Sequence, residues 1–187
     1  SFLSNLHSFK LAANRVDYWK NIKPGRYIIK SNMSVIDVLR KLKNRQQNPV
    51  NFTLVKIRVP EDIAKMAGKK FESDSLAFIE YLEKDITRAY KIIPDTYSLL
   101  WTNSPEKIIT RLNEQYEEWW SKNNRKEKAR KLGYTPFEVM TIASIVEEET
   151  NRQEDKGKVA SVYMNRLKIN MPLQADPTVR FSKRDFK

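Results

Sequence analysis

Three consecutive acids, Glu147, Glu148 and Glu149, follow an apolar run over residues 139–146. A carboxyl group at the end of such a run is a candidate general acid/base. On a regular helix each residue turns by ~100°, so Glu147 and Glu149 point ~200° apart and cannot serve one bond together. The pattern therefore offers a single inward carboxylate, Glu147, with Glu148 and Glu149 facing solvent. That differs from ordinary glycoside hydrolysis, which sets one carboxyl on each side of the scissile bond. The C-terminal end of a helix carries partial negative charge, and an apolar setting disfavours ionisation. Both favour the protonated form that a general acid needs. The competing reading is a charged residue at a helix end.

Other catalytic constellations are missing. The chain has no cysteine and one histidine, His7, which excludes disulfides, thiolate metal sites, a zinc site and a serine–histidine pair. No Gly-rich phosphate loop is present, and no cofactor or metal is expected. The net charge of +12 favours acidic partners: nucleic acid, anionic lipid surfaces or cell-wall polymers. No base-reading motif accompanies it, so specific nucleic-acid binding is not expected. Trp101, Trp119 and Trp120 read as core or sugar-stacking positions.

These side chains must be positioned by a real core, and 40% hydrophobic residues with 11% aromatic residues supply one. A short helix is expected over 5–19, a strand over 26–30, a helix capped by Ser34, and a strand over 52–59. Together the last three make a β-α-β unit too small to pack alone. Further helices are expected to open at Pro60, Ser75 and Ser104, with a short strand over 92–97 between them. The charged run 122–131 reads as the solvated end of the helix that carries Trp119 and Trp120. Thr135, Pro136 and Glu138 make a helix start with a capping box. The apolar residues after it suggest burial on every side. A last helix over 155–168 is expected to turn Val159, Val162, Tyr163 and Leu167 inward.

Four blocks then align in order. Residues 94–97 (Pro-Asp-Thr-Tyr), 143–150 (Ala-Ser-Ile-Val-Glu-Glu-Glu-Thr), 158–167 (Lys-Val-Ala-Ser-Val-Tyr-Met-Asn-Arg-Leu) and 171–179 (Met-Pro-Leu-Gln-Ala-Asp-Pro-Thr-Val) resemble the motifs of the YceG-like family, the endolytic murein transglycosylases. The resemblance is strong from Pro94 to Val179. Over 25–59 it extends to the family's LysM-like subdomain. It implies an α+β fold, with a LysM-like N-terminal part over 1–59 and a mainly helical catalytic part over 60–187. It implies cleavage of the β-1,4 bond between N-acetylmuramic acid and N-acetylglucosamine within glycan strands, leaving 1,6-anhydro-muramyl ends. One acid suffices there, because the sugar's own C6 hydroxyl closes the ring.

The resemblance places that acid at Glu147, with Asn165, Gln174, Asp176 and Thr178 lining the saccharide groove. Its implied partners are peptidoglycan glycan strands and cell-wall synthases. Its implied location is the inner membrane, with the catalytic part facing the periplasm. The family's membrane anchor and its C-terminal continuation are expected to lie outside this chain, whose first residues, Ser1-Phe2-Leu3, read as following an anchor. Three alternatives stand beside this reading: a non-catalytic peptidoglycan-binding module, a basic nucleic-acid-binding domain and an aminodeoxychorismate lyase. The last would need a pyridoxal phosphate site, for which no phosphate-binding loop is found.

Overall fold

The computed structural model describes residues 6–186. The start of the chain, where an anchor junction and the first residue of the first helix were expected, lies outside the described residues. The chain divides into two units, Ser1–Glu114 and Gln115–Lys187. Among the described residues no helix is long and apolar enough to cross a membrane.

The first unit begins with α1 (Leu6–Arg15) and α2 (Val35–Lys43). Ser34 caps α2 as its sequence predicts: its hydroxyl accepts from Asp37 N–H at 3.2 Å and donates to the Asp37 carboxylate at 2.7 Å. Phe9 and Ala13 of α1 meet Val38 and Leu39 of α2 in a small core of their own. No strand forms over 26–30. One backbone bond and two side chains hold that segment instead of a ladder: Asn48 N–H donates to the Arg26 carbonyl at 2.8 Å, Ile28 N–H to Asn48 Oδ1 at 3.0 Å, and Lys41 Nζ to the Ile28 carbonyl at 3.0 Å.

The sheet of the first unit joins residues distant in sequence. β1 (Val50–Thr53) pairs antiparallel with β2 (Thr96–Leu99), with Val50 opposite Leu99 and Thr53 opposite Thr96. The strand expected over 52–59 thus starts and ends earlier than its alternation suggests. Both strands alternate buried and exposed residues, so one face packs inward. Against that face lie α3 (Pro60–Gly68), α4 (Ser75–Glu83), α5 (Thr87–Tyr90) and the first part of α6 (Pro105–Ser121). Pro60 opens α3, and the Asp62 carboxylate accepts from the N–H groups of Arg58 and Val59 at 3.0 and 3.2 Å. Asp74 caps α4 through Ala77 N–H at 3.0 Å. Phe52, Leu54, Ile63, Phe78, Leu82, Ile108, Ile109 and Leu112 form the fully buried centre. Tyr97 sits in the same core, its hydroxyl donating to the Ile93 carbonyl at 2.5 Å; burial and then the Asp95 carboxylate push it up to about 12.

The second unit is helical. The charged run does not continue α6. Asn123 and Asn124 both adopt φ of 55°, and a separate helix, α7 (Arg125–Lys131), follows. Asparagine tolerates the left-handed region better than most residues, and two in succession end the helix. Trp120 is buried, whereas Trp119 is 37% exposed with the Arg125 guanidinium 4.0 Å above its ring. A cation thus takes the ring face that a sugar would use. Then come α8 (Pro136–Glu149), α9 (Gln153–Lys168) and α10 (Asp176–Ser182). Ile142 and Val146 of α8, Tyr163 of α9 and Ala175 form their core. α8 is not buried all round: Thr141, Ala143 and Ser144 are exposed, as is Phe137. Only one side of it meets α9 and α10. On α9, Val159 and Tyr163 turn inward as expected, while Val162 and Leu167 remain exposed.

Candidate active site

The acid-bearing end of α8 is built by its two termini. At the start, Thr135 N–H donates to Glu138 Oε2 at 2.7 Å, and Glu138 N–H donates to Thr135 Oγ1 at 3.2 Å. This reciprocal box fixes the first turn. The Thr135 backbone N–H, and then its hydroxyl, hold the Glu138 carboxyl below its ordinary value. At the other end Thr150 is extended, with φ of −145°, and its N–H donates to the Val146 carbonyl at 3.2 Å. Arg152 N–H donates to Thr150 Oγ1 at 3.1 Å, and α9 begins at the next residue. The connection is therefore three residues long, which sets the first turns of α9 beside the last turn of α8.

The three acids separate as helical geometry requires. Glu147 extends towards α9, where Lys156 Nζ bonds its Oε2. The Glu147 side chain is 65% exposed and that of Lys156 24%. The burial expected around Glu147 is not found: α9 packs on the Val146 side of α8 and leaves the Glu147 carboxyl open. Glu149 is exposed as expected, but it also has a neighbour on α9. Its carboxylate addresses the hydroxyl of Tyr163, which is only 6% exposed. Burial first, then the hydrogen bond and charge of Glu149, push the Tyr163 hydroxyl up; Arg166 opposes this and Asp176 adds to it.

The segment after α9 carries the other expected site residues. Met171 N–H donates to the Arg166 carbonyl at 2.8 Å, and Arg166 Nη1 donates to the Leu173 carbonyl. On either side of these ties the backbone is left-handed, at Asn170 (φ 54°) and at Gln174 (φ 52°). Asparagine tolerates that region, whereas at Gln174 it costs roughly 1–2 kcal/mol, so the Arg166–Leu173 contact stands next to a strained residue. Gln174 is exposed there. Asp176 is exposed at the first position of α10. Thr178 Oγ1 donates to the Ala175 carbonyl at 2.7 Å, so its hydroxyl serves the start of α10. Asn165 is exposed on α9.

All five expected residues lie in the second unit. Among the described residues no hydrogen bond joins Glu147 to Asn165, Gln174, Asp176 or Thr178; its partner is Lys156. Lys156, Tyr163 and Arg166 are the residues that sequence reasoning missed as parts of this site. The signal for Lys156 was the short Thr-Asn-Arg connection, which brings a cation nine positions later back to the acid.

A model of the YceG-like family matches residues 1–187. The endolytic murein transglycosylase of Bacillus subtilis (strain 168) is 34% identical over 98 residues, which cover 49% of this chain and 25% of that protein. The endolytic murein transglycosylase of Streptococcus pneumoniae serotype 2 (strain D39 / NCTC 7466) is 26% identical over 201 aligned residues, covering 88% of this chain and 36% of that protein. The chain thus spans about a quarter to a third of the curated relatives it matches. The crystal structure of a yceG-like protein, lmo1499, from Listeria monocytogenes superposes with a TM-score of 0.52 and 21% identity, covering 98% of this chain and 68% of that one. That likeness concerns the fold.

Proposed function

Because this chain belongs to the YceG-like family, we propose that it is part of an endolytic murein transglycosylase in which Glu147 is the single acid/base. The observation that carries the reading is the open, laterally held carboxyl of Glu147 at the end of α8, in the same unit as the α9 and α10 motif residues. In the first step the Glu147 carboxyl gives its proton to the glycosidic oxygen as the bond from that oxygen to C1 of N-acetylmuramic acid breaks. The C6 oxygen of the same sugar then bonds to C1, and its hydroxyl proton passes to the Glu147 carboxylate. The ring closes, the enzyme is regenerated and no water enters. Asn165, Gln174, Asp176 and Thr178 are the proposed saccharide contacts. Residues 1–59 are the proposed LysM-like part; Phe9, Ala13, Val38 and Leu39 pack together there, while Val50, Phe52 and Leu54 join the main core of the first unit.

On this reading the chain works at the cell envelope. The inner membrane anchors it, the catalytic part faces the periplasm, and cell-wall synthases are the partner class to test. A second reading, binding of peptidoglycan without cleavage, is favoured by the lack, among the described residues, of any hydrogen bond between Glu147 and Asn165, Gln174, Asp176 or Thr178. One experiment separates them. Purified glycan strands are incubated with the wild type, Glu147→Gln and Glu148→Gln, and the products are weighed by mass spectrometry. The wild type is expected to release anhydro-muramyl ends. Glu147→Gln should lose about 10²–10⁴-fold in rate, the usual worth of a positioned proton donor, with Glu148→Gln close to wild type. Reducing muramic acid ends would indicate hydrolysis and end the lyase reading. Strands that bind but stay intact would favour the binding module.

A further inference from the structure

We infer that Lys156 is a positioning residue for Glu147: it holds one carboxylate oxygen and leaves the other to move the proton. This rests on the reading of Glu147 as the acid/base. Lys156 Nζ bonds Oε2 of Glu147. Among the described residues no other hydrogen bond reaches that carboxylate. The lysine side chain is 24% exposed and the glutamate 65%, so a packed stem fixes the ammonium while the acid faces outward. Asp155, the neighbouring acid on α9, is engaged by Lys158 at 3.7 Å and does not compete for Lys156. The pair bridges the closed end of the α8–α9 hairpin, where the connection is shortest.

Chemistry with a single acid requires the same carboxyl to give a proton and then take one back. With Oε2 held, both transfers run through Oε1, at one place relative to the sugar. As the proton leaves for the glycosidic oxygen, negative charge appears on the carboxylate. The ammonium already stands beside that charge, so no reorganisation is needed. When the carboxylate takes the C6 hydroxyl proton the charge disappears again. Lys156 touches neither sugar nor bond; it acts through Glu147. A pair this open adds little to folding stability, so its loss should be read in the rate and not in the melting temperature.

The test compares Lys156→Met and Lys156→Arg with Glu147→Gln and the wild type. Lys156→Met should lower kcat by about tenfold to a hundredfold, the scale of a misplaced reacting group, with KM and Tm close to wild type. Lys156→Arg, which keeps a cation within reach, should recover most of the loss. Wild-type kcat in Lys156→Met, a parallel fall in Tm, or no recovery in Lys156→Arg would each overturn the inference. Full activity in Glu147→Gln would instead remove the acid assignment itself. A readout independent of turnover is the nitrogen resonance of the Lys156 side chain. It should show slow proton exchange that Glu147→Gln abolishes, and a freely exchanging ammonium in the wild type would refute the pair.

Discussion

The two units hold themselves together in different ways. The first closes a core around Phe52, Phe78, Ile108 and Leu112, none more than 1% exposed, between a two-stranded sheet and the helices packed on it. The α8–α9 part of the second gathers a smaller core, Ile142, Val146, Tyr163 and Ala175, of which Ile142 retains 9% exposure. Three motif blocks lie in this thinner unit, and Glu147, Asn165 and Gln174 stand exposed on it. A side chain that must meet a polymer cannot also fill a core. The second unit therefore spends its apolar residues on fixing a hairpin and its polar ones on local ties: the Thr135–Glu138 box and the Arg166–Leu173 bond.

The sharpest way to break this comparison is to remove equivalent amounts of core from each unit. Ile108→Ala empties a fully enclosed site and should cost about 4–5 kcal/mol, the high end for such deletions. Ile142→Ala removes a side chain at the rim of a shallow core, where neighbours can settle inward, and should cost about 2 kcal/mol, the low end for such deletions. Denaturant unfolding of both variants checks the order. Equal losses would mean that the second unit is as tightly packed as the first.

The same contrast governs what the sequence revealed. Local signals were legible because their physics is local: Ser34 before Val35, Pro60 at a helix start, and Thr135 with Glu138 three residues on. α8 and α9 followed from such signals, whereas α10, which carries Asp176 and Thr178, was not expected, and the α+β class came with the family resemblance. The pairing of Val50–Thr53 with Thr96–Leu99 was not legible, since no short-range pattern links strands more than forty residues apart. Residues 26–30 read as a strand by composition, but Asn48 and Lys41 satisfy their backbone groups first. Asn123 and Asn124 break a helix that charge alone would have continued. The apolar run of α8 predicts burial, yet composition does not say how many neighbours a helix has. At the candidate site the residue types were legible and their partners were not. Lys156 and Tyr163 meet Glu147 and Glu149 only once the hairpin is formed.

A smaller effect tests whether polar ties matter as much as burial in the second unit. Thr135→Ala removes the cap of α8 and should cost about 1 kcal/mol, roughly half the expected loss for Ile142→Ala. Thr135→Ser, which keeps the hydroxyl, should restore most of it. Unfolding curves in urea read the difference through their midpoints at an unchanged slope. A silent Thr135→Ala would mean that α8 is fixed by packing alone.

The smallest effect lies in the pH dependence of that same box. The Thr135 N–H and hydroxyl hold the Glu138 carboxyl below its ordinary value of 4.5 in the folded chain. In the unfolded chain the carboxyl returns to that ordinary value. The folded state therefore binds the proton less readily, and the box contributes stability that is fully present above the unfolded value. As the pH falls through the lower, folded value the carboxyl takes up its proton and the contribution disappears. Glu138 is fully exposed, so solvent screens the interaction and the change in melting temperature should be small. The comparison is between wild type and Glu138→Ala, melted from neutral pH down to strongly acidic pH. The wild type should melt higher at neutral pH, and the gap should narrow once the pH drops below the ordinary carboxyl range. A gap that stays constant throughout would show that the ionised carboxylate is not what closes the box, leaving the Thr135 hydroxyl and Pro136 to start α8 unaided.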